Sequence, residues 1–243
     1  MIDVEKGDVD ISKLFEFKTE ISLIGVNGKE AAKAYIRLPS DAEVNRARVK
    51  SIRHSGELRK NLSNLEWEDR EYFIPDISGL SRDELITLIC NMSIQEIGME
   101  VASDMVIPMP KEPAGDASLE EQEQYQNRVD EYPIIVRDKM KIEMARKMDR
   151  LKKVLEGKND KELNKLYEEE LIKEHCNTAF KNIYKLYCVY FGTYADSEHK
   201  TLLFDSFDKL KESPEFLVQQ LQNAYESLEL ESELLKKSLV ATQ

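Results

Sequence analysis

Residues that break helices are scarce in this chain. Only 9 glycines and 7 prolines occur among 243 residues, which argues against a fold made of many short strands and tight turns. The three cysteines, Cys90, Cys176 and Cys188, are odd in number and far apart, and none forms a CxxC pair. That spacing predicts free thiols in a reducing compartment and excludes a disulfide framework. The three histidines, His54, His175 and His199, sit in different segments, so the close set of about four ligands that zinc needs is missing. GxxxxGKS and GxGxxG are absent, and with them any sign of a phosphate cradle. No apolar run approaches the roughly 20 residues that cross a bilayer. The start, Met1-Ile2-Asp3-Val4-Glu5, has neither the basic nor the apolar region of a signal peptide, and a cytoplasmic location is expected. Excess positive charge is missing too: the formal net charge is -12, which disfavours bulk binding to phosphate backbones.

What is present is patterned charge and apolar residue. Hydrophobic residues make up 41% and charged residues 34%, a globular balance tilted toward exposed helix. The length allows one large domain or two small ones, either able to bury a core.

The stretch "FEFKTEISLI" from Phe15 to Ile24 alternates apolar and polar residues, the period of a half-buried strand. Asn27-Gly28 is a turn signal, and "AAKAYIRLP" is the return strand of a hairpin. A lone hairpin is marginal unless something packs on it. Three sequences, Ser40-Asp41-Ala42-Glu43, Ser81-Arg82-Asp83-Glu84 and Ser118-Leu119-Glu120-Glu121, are capping boxes that open helices. The first helix, to about Lys60, is basic, with Arg46, Arg48, Lys50, Arg53, Arg59 and Lys60. Trp67, Tyr72, Phe73 and Ile74 form an aromatic cluster after it. Leu85, Leu88, Ile89 and Met92 share one face of the second helix.

"IPMPKEPAGDAS" is the expected domain boundary. The organisation read from it is a small α+β domain over 1–107, a linker over 108–117 and a helical domain over 118–243. In the helical domain a single apolar stripe runs through Val129, Tyr132, Val136, Met140, Met144, Met148, Leu151 and Leu155. Pro133 falls inside it and should kink or break the helix. The next helix, capped by Asn159 or Asp160, carries Leu163, Tyr167, Leu171, Phe180, Ile183 and Tyr187 and stops at Gly192. Ser213-Pro214-Glu215 starts the last helix, whose inner face holds Leu217, Leu221, Ala224, Tyr225 and Leu228. The fold class is therefore mainly α, with long amphipathic helices and a small N-terminal β-hairpin plus helix (α+β) region.

No constellation carries catalysis. His175 and Cys176 are adjacent, and adjacent helical residues point about 100° apart. Glu168, Glu169 and Glu170 fan over different faces of a helix and read as a solvated surface. Two basic segments, Ser40–Lys60 and Arg137–Lys153, suit either nucleic acid or acidic faces of this chain or of a second copy; protein contact is the reading adopted. Met140, Met144 and Met148 lie at i, i+4 and i+8. Buried, they are core; exposed, they form an adaptable groove for apolar helices.

The stretch "VYFGTYADSEHKTLLFDSFDKLKESPEF" carries six Phe and Tyr side chains, five of them before the last helix begins. It reads as a packed corner in which Tyr190, Phe191, Tyr194, Phe204 and Phe207 clamp the last helix against the long ones, with Asp205 or Ser206 capping a short helix. The order of elements here, "YCVYFGTYAD", "SEHK", "TLLFDSFDKLKES" and "PEFLVQQLQNAYESLEL", resembles the tail assembly chaperones of long-tailed bacteriophages. So does the hairpin ending in "AYIRLPSDAEV" and leading into a helix. The resemblance implies a non-catalytic protein without cofactor or metal, working in the cytoplasm of the host cell. It would shield the apolar helices of the tape measure protein during tail assembly, itself as a possible homo-oligomer. The expected partner faces carry Met140, Met144, Met148, Tyr187, Leu217, Leu221 and Tyr225. The long middle helices exceed what such a chaperone needs and leave a structural virion protein of tail, neck or baseplate as one alternative; the two basic helices leave a regulatory nucleic-acid-binding protein as another.

Overall fold

The computed structural model describes residues 17–25, 28–115 and 117–240. It is mainly helical with one small antiparallel sheet, in line with the expected class. The elements run β1 (Lys18–Ile24), β2 (Glu30–Arg37), α1 (Asp41–Leu62), α2 (Arg70–Phe73), α3 (Arg82–Asp104), α4 (Leu119–Glu156), α5 (Asp160–Gly192), β3 (Thr193–Tyr194), α6 (Phe207–Lys211) and α7 (Glu215–Val240). Phe15 and Asn27, which belong to the expected hairpin, lie outside the described residues.

The chain forms two compact units, one from residues 1–60 and 176–243, the other from residues 61–175. The expected division differs: the stretch 108–117 lies within the second unit, between α3 and α4. Its prolines mark a break in secondary structure, whereas a domain boundary depends on which segments pack together. The first unit is built from both ends of the chain.

In the first unit β1 pairs with β2, from Lys18 opposite Arg37 to Ile24 opposite Glu30. Phe17, Thr19, Ile21 and Leu23 are the more buried positions and their neighbours are exposed, the alternation a pleated strand imposes. At the hairpin end Gly28 takes φ 72° and donates its N–H to the Gly25 carbonyl at 2.9 Å; that backbone region favours glycine. A third strand, β3, adds Tyr194 opposite Tyr35 and Thr193 opposite Ile36. The last helix supports the hairpin. The Gln220 amide accepts from the Ile24 N–H at 2.8 Å and donates to its carbonyl at 3.0 Å, satisfying backbone groups at the end of β1. Leu23, Ala34, Ile36, Ala47, Cys188, Val189, Leu210, Leu221, Tyr225 and Leu228 form the core.

In the second unit Leu85, Ile86, Ile89, Cys90, Leu155, Leu163 and Tyr167 form a separate core. By length and composition α3 is the one described helix apolar enough to cross a membrane; here Leu85, Ile86, Ile89, Cys90, Ile97 and Val101 are its buried residues. The expected boxes are formed at Ser81 with Glu84 and at Ser118 with Glu121. Asn159, and not Asp160, caps α5, with reciprocal bonds to Glu162. Helix α4 runs unbroken past Pro133. Proline removes a single helical hydrogen bond there, and next to it the Tyr132 hydroxyl donates to the Ile107 carbonyl at 2.8 Å.

Candidate functional site

The methionine stripe belongs to the second unit. Met140, Met144 and Met148 are all half-buried. Met148 packs against the Leu85–Leu155 core, and the Met144 Cε lies 3.6 Å from where a Cβ on Gly98 of α3 would stand. At least two of the three thus fill the α3–α4 packing, and the stripe is less an open groove than a lining. Thioether chains suit that irregular gap.

The other four expected partner residues belong to the first unit. Leu221 is 0% and Tyr225 6% exposed. They are core and cannot contact a partner while the unit is folded, which corrects their assignment to a binding face. They lie on the inward side of α7 because the hairpin and α5 need cover. Burial pushes the Tyr225 hydroxyl far up and also raises the neighbouring Cys188 thiol. Tyr187 and Leu217 are partly buried against the same core. Tyr187 stacks on Phe207 with ring centroids 3.6 Å apart and planes 12° apart. The expected aromatic corner is present: Tyr190, Phe191, Phe204 and Phe207 pack on the core and Tyr194 is buried. Ser206, and not Asp205, caps α6. The Asp196 carboxylate holds the turn by accepting from the N–H groups of Glu198, Lys200 and Thr201. Those bonds, led by the one from Thr201, lower its pKa.

Sequence reading missed a polar knot at the start of α1. The Arg37 guanidinium grips both oxygens of Glu43 at 2.9 Å and donates to the Tyr194 hydroxyl. Glu43 also accepts from the Ser40 N–H at 2.7 Å. One carboxylate thus takes up the Ser40 N–H and hydroxyl and anchors the arginine. Burial is the largest influence on Glu43 and works to raise its pKa; the bonds from Arg37 and Ser40 together outweigh it, and the net shift is downward. The signal in sequence was the box itself; nothing local indicated that Arg37 and Tyr194 would converge on it. The knot is fully bonded, which suits a brace better than an acid or base.

Elsewhere charges are paired by packing. In the second unit Lys147 bridges Glu100 at 2.8 Å and Asp104 at 2.9 Å. Arg82 meets Asp160 at 2.6 Å, and Arg70 meets Glu168. Glu169 and Glu170 go to Lys165 and Lys173, so the three consecutive glutamates do diverge. The His175 ring bonds the Phe73 carbonyl at 2.8 Å and meets the Phe73 ring edge-on. Tyr72, placed in that aromatic cluster from sequence, is instead 87% exposed. Among the described residues no three His, Cys, Asp or Glu side chains are grouped to hold a metal. A cleft of about 550 Å³ is lined by Arg70, Tyr167 and Glu168 among others. Another of about 490 Å³ holds Glu96, Glu100, Lys147 and Arg150. Several of these groups already pair with each other or with nearby carboxylates.

The more telling surface is the rest of α4. Of its 38 residues only Leu155 is fully buried. Ile134, Ile135 and Ile142 are 51%, 43% and 53% exposed. Ile135 and Ile142, seven apart, fall on the side of the helix opposite Met144. No protein-family model matches this chain, and no curated protein and no solved structure matches it.

Proposed function

We propose that this chain is a non-catalytic protein that binds and shields an apolar helical partner, as a tail assembly chaperone does for the tape measure protein of a long-tailed bacteriophage. The carrying observation is α4. A long helix with a single fully buried residue leaves Ile135 and Ile142 uncovered on the side away from the methionine stripe. Completing the burial of a half-exposed isoleucine is worth about 1 kcal/mol, before the cost of ordering the partner. A few such contacts give a reversible grip, which suits a protein that must later release its cargo. The binding face is accordingly placed on the outer side of α4, around Ile135 and Ile142, with the methionine stripe behind it as packing.

The test is co-expression with a long helical tape measure protein. The wild-type chain is expected to keep that partner soluble and to be recovered with it. The double variant Ile135→Lys, Ile142→Lys should lose the partner while melting as the wild type does, since both side chains are about half exposed in the free chain. Failure of the wild type to retain the partner overturns the proposal; retention by the double variant removes this face from it.

A further inference from the structure

Two helices of the first unit carry complementary uncovered faces. On α1 the packed stripe is Ala47, Ser51, Ser55 and Leu58, and Ser55 donates to the Cys176 carbonyl of α5 at 2.9 Å. Val49 and Ile52 point elsewhere and are 51% and 56% exposed. Arg48, Lys50 and Arg53 flank them, all exposed, and none has a carboxylate partner among the described residues. The face is basic on a chain whose net charge is -12. On the second half of α7 the pattern is the opposite. Leu230 and Leu234, one turn apart, are 58% and 57% exposed; Glu229, Glu231 and Glu233 stand beside them, Lys237 follows in the last turn, and Glu226 is already paired with Lys185 of α5 at 2.8 Å. Burial, and after it the nearby Glu233, raise the Glu229 pKa against the pull of Lys185.

We propose that the basic face of α1 docks on the stretch of α7 around Leu230, Glu231 and Glu233 of a second copy of this chain. Apolar pairs meet at the centre, Val49 and Ile52 against Leu230 and Leu234. Arginines and lysines meet glutamates around them. This arrangement covers four exposed aliphatic side chains and places each like-charged cluster against its opposite. Each chain carries both faces. Nucleic acid satisfies the α1 charges but leaves the leucines of α7 uncovered, and a second copy accounts for both.

The experiment is sedimentation velocity on the full chain over a concentration series at low and at high salt. Wild type should associate at low salt and dissociate as salt screens the charges, since the screening length falls to about 3 Å at 1 M. Arg48→Glu with Arg53→Glu should weaken association on the order of ten-fold, as should Glu231→Lys with Glu233→Lys. Mixing the two charge-reversed variants should restore it, because each then offers the sign that the other needs. Circular dichroism melting establishes that both variants fold; Arg48→Gln with Arg53→Gln serves if the reversal does not, with a smaller weakening expected. A monomeric wild type at every concentration overturns the proposal. So does association that neither pair of changes alters, or a mixture that stays monomeric. A monomeric wild type that binds duplex DNA, and loses it with the arginine changes, assigns the α1 face to nucleic acid instead.

Discussion

Gly192 ends α5 one residue before β3, and a methyl group placed there falls 2.6 Å from the carbonyl oxygen of Arg37 on β2. Ordinary contacts of this kind are close to 3.5 Å, so the strand or the helix end must move by nearly an ångström in Gly192→Ala. The obstacle is backbone and not a side-chain tip. Arg37 is held by its grip on Glu43 and Tyr194, and the adjoining Ile36 is paired with Thr193 in the sheet. Overpacking against a held backbone costs about 1–3 kcal/mol, and the upper end applies where three bonded partners must shift together. Alanine recovers up to about 1 kcal/mol through helix propensity, less at a helix end. The expected net loss is about 2 kcal/mol, which at a typical urea dependence of about 2 kcal/mol per molar moves the midpoint down by about 1 M. Gly56→Ala in α1 is the control. A methyl there meets nothing within 4 Å, so the same substitution should stabilise by about 0.5–1 kcal/mol. Equal effects of the two changes, or a raised midpoint for Gly192→Ala, would refute the close-approach argument.

Other perturbations bear on the same framework. Leu221→Ala, at a site 0% exposed, should cost about 2–5 kcal/mol in a denaturant melt; a neutral effect would return Leu221 to the surface. Phe207→Ala removes a ring stacked on Tyr187 but only partly buried, so a loss of about 2 kcal/mol is expected, below that of a fully buried ring. The folded-state pKa of Glu43 is lowered. Its contribution is therefore complete above the unfolded value of about 4.3 and lost as pH falls through the folded value. Glu43→Gln should be less stable at neutral pH and should lose less on acidification, read as melting temperature against pH. Cys90, Cys176 and Cys188 are buried, and burial raises each thiol pKa. A thiol reagent should react slowly with native protein and quickly after unfolding; fast native reaction would contradict their burial.

Local signals were legible wherever the physics is local. Serine followed three residues later by glutamate closed the helix ends at Ser81 and Ser118, because the capping bonds need only those residues. Alternation over Phe17–Leu23 set the buried face of β1 because a strand presents its side chains two by two. Stepwise apolar spacing revealed long helices. The same spacing left open which neighbour covers a stripe, and so Leu221 and Tyr225 read as a binding face when they are core. Gly192 was legible as a helix stop, but only the approach of β2 shows why a side chain is excluded there. The joining of both chain ends into one unit, the grip of Arg37 on Glu43 and Tyr194, and the outward turn of Ile135 and Ile142 were decided by tertiary packing. Each depends on residues distant in sequence meeting in space, and a one-dimensional period records which side of a helix is apolar without recording what lies against it.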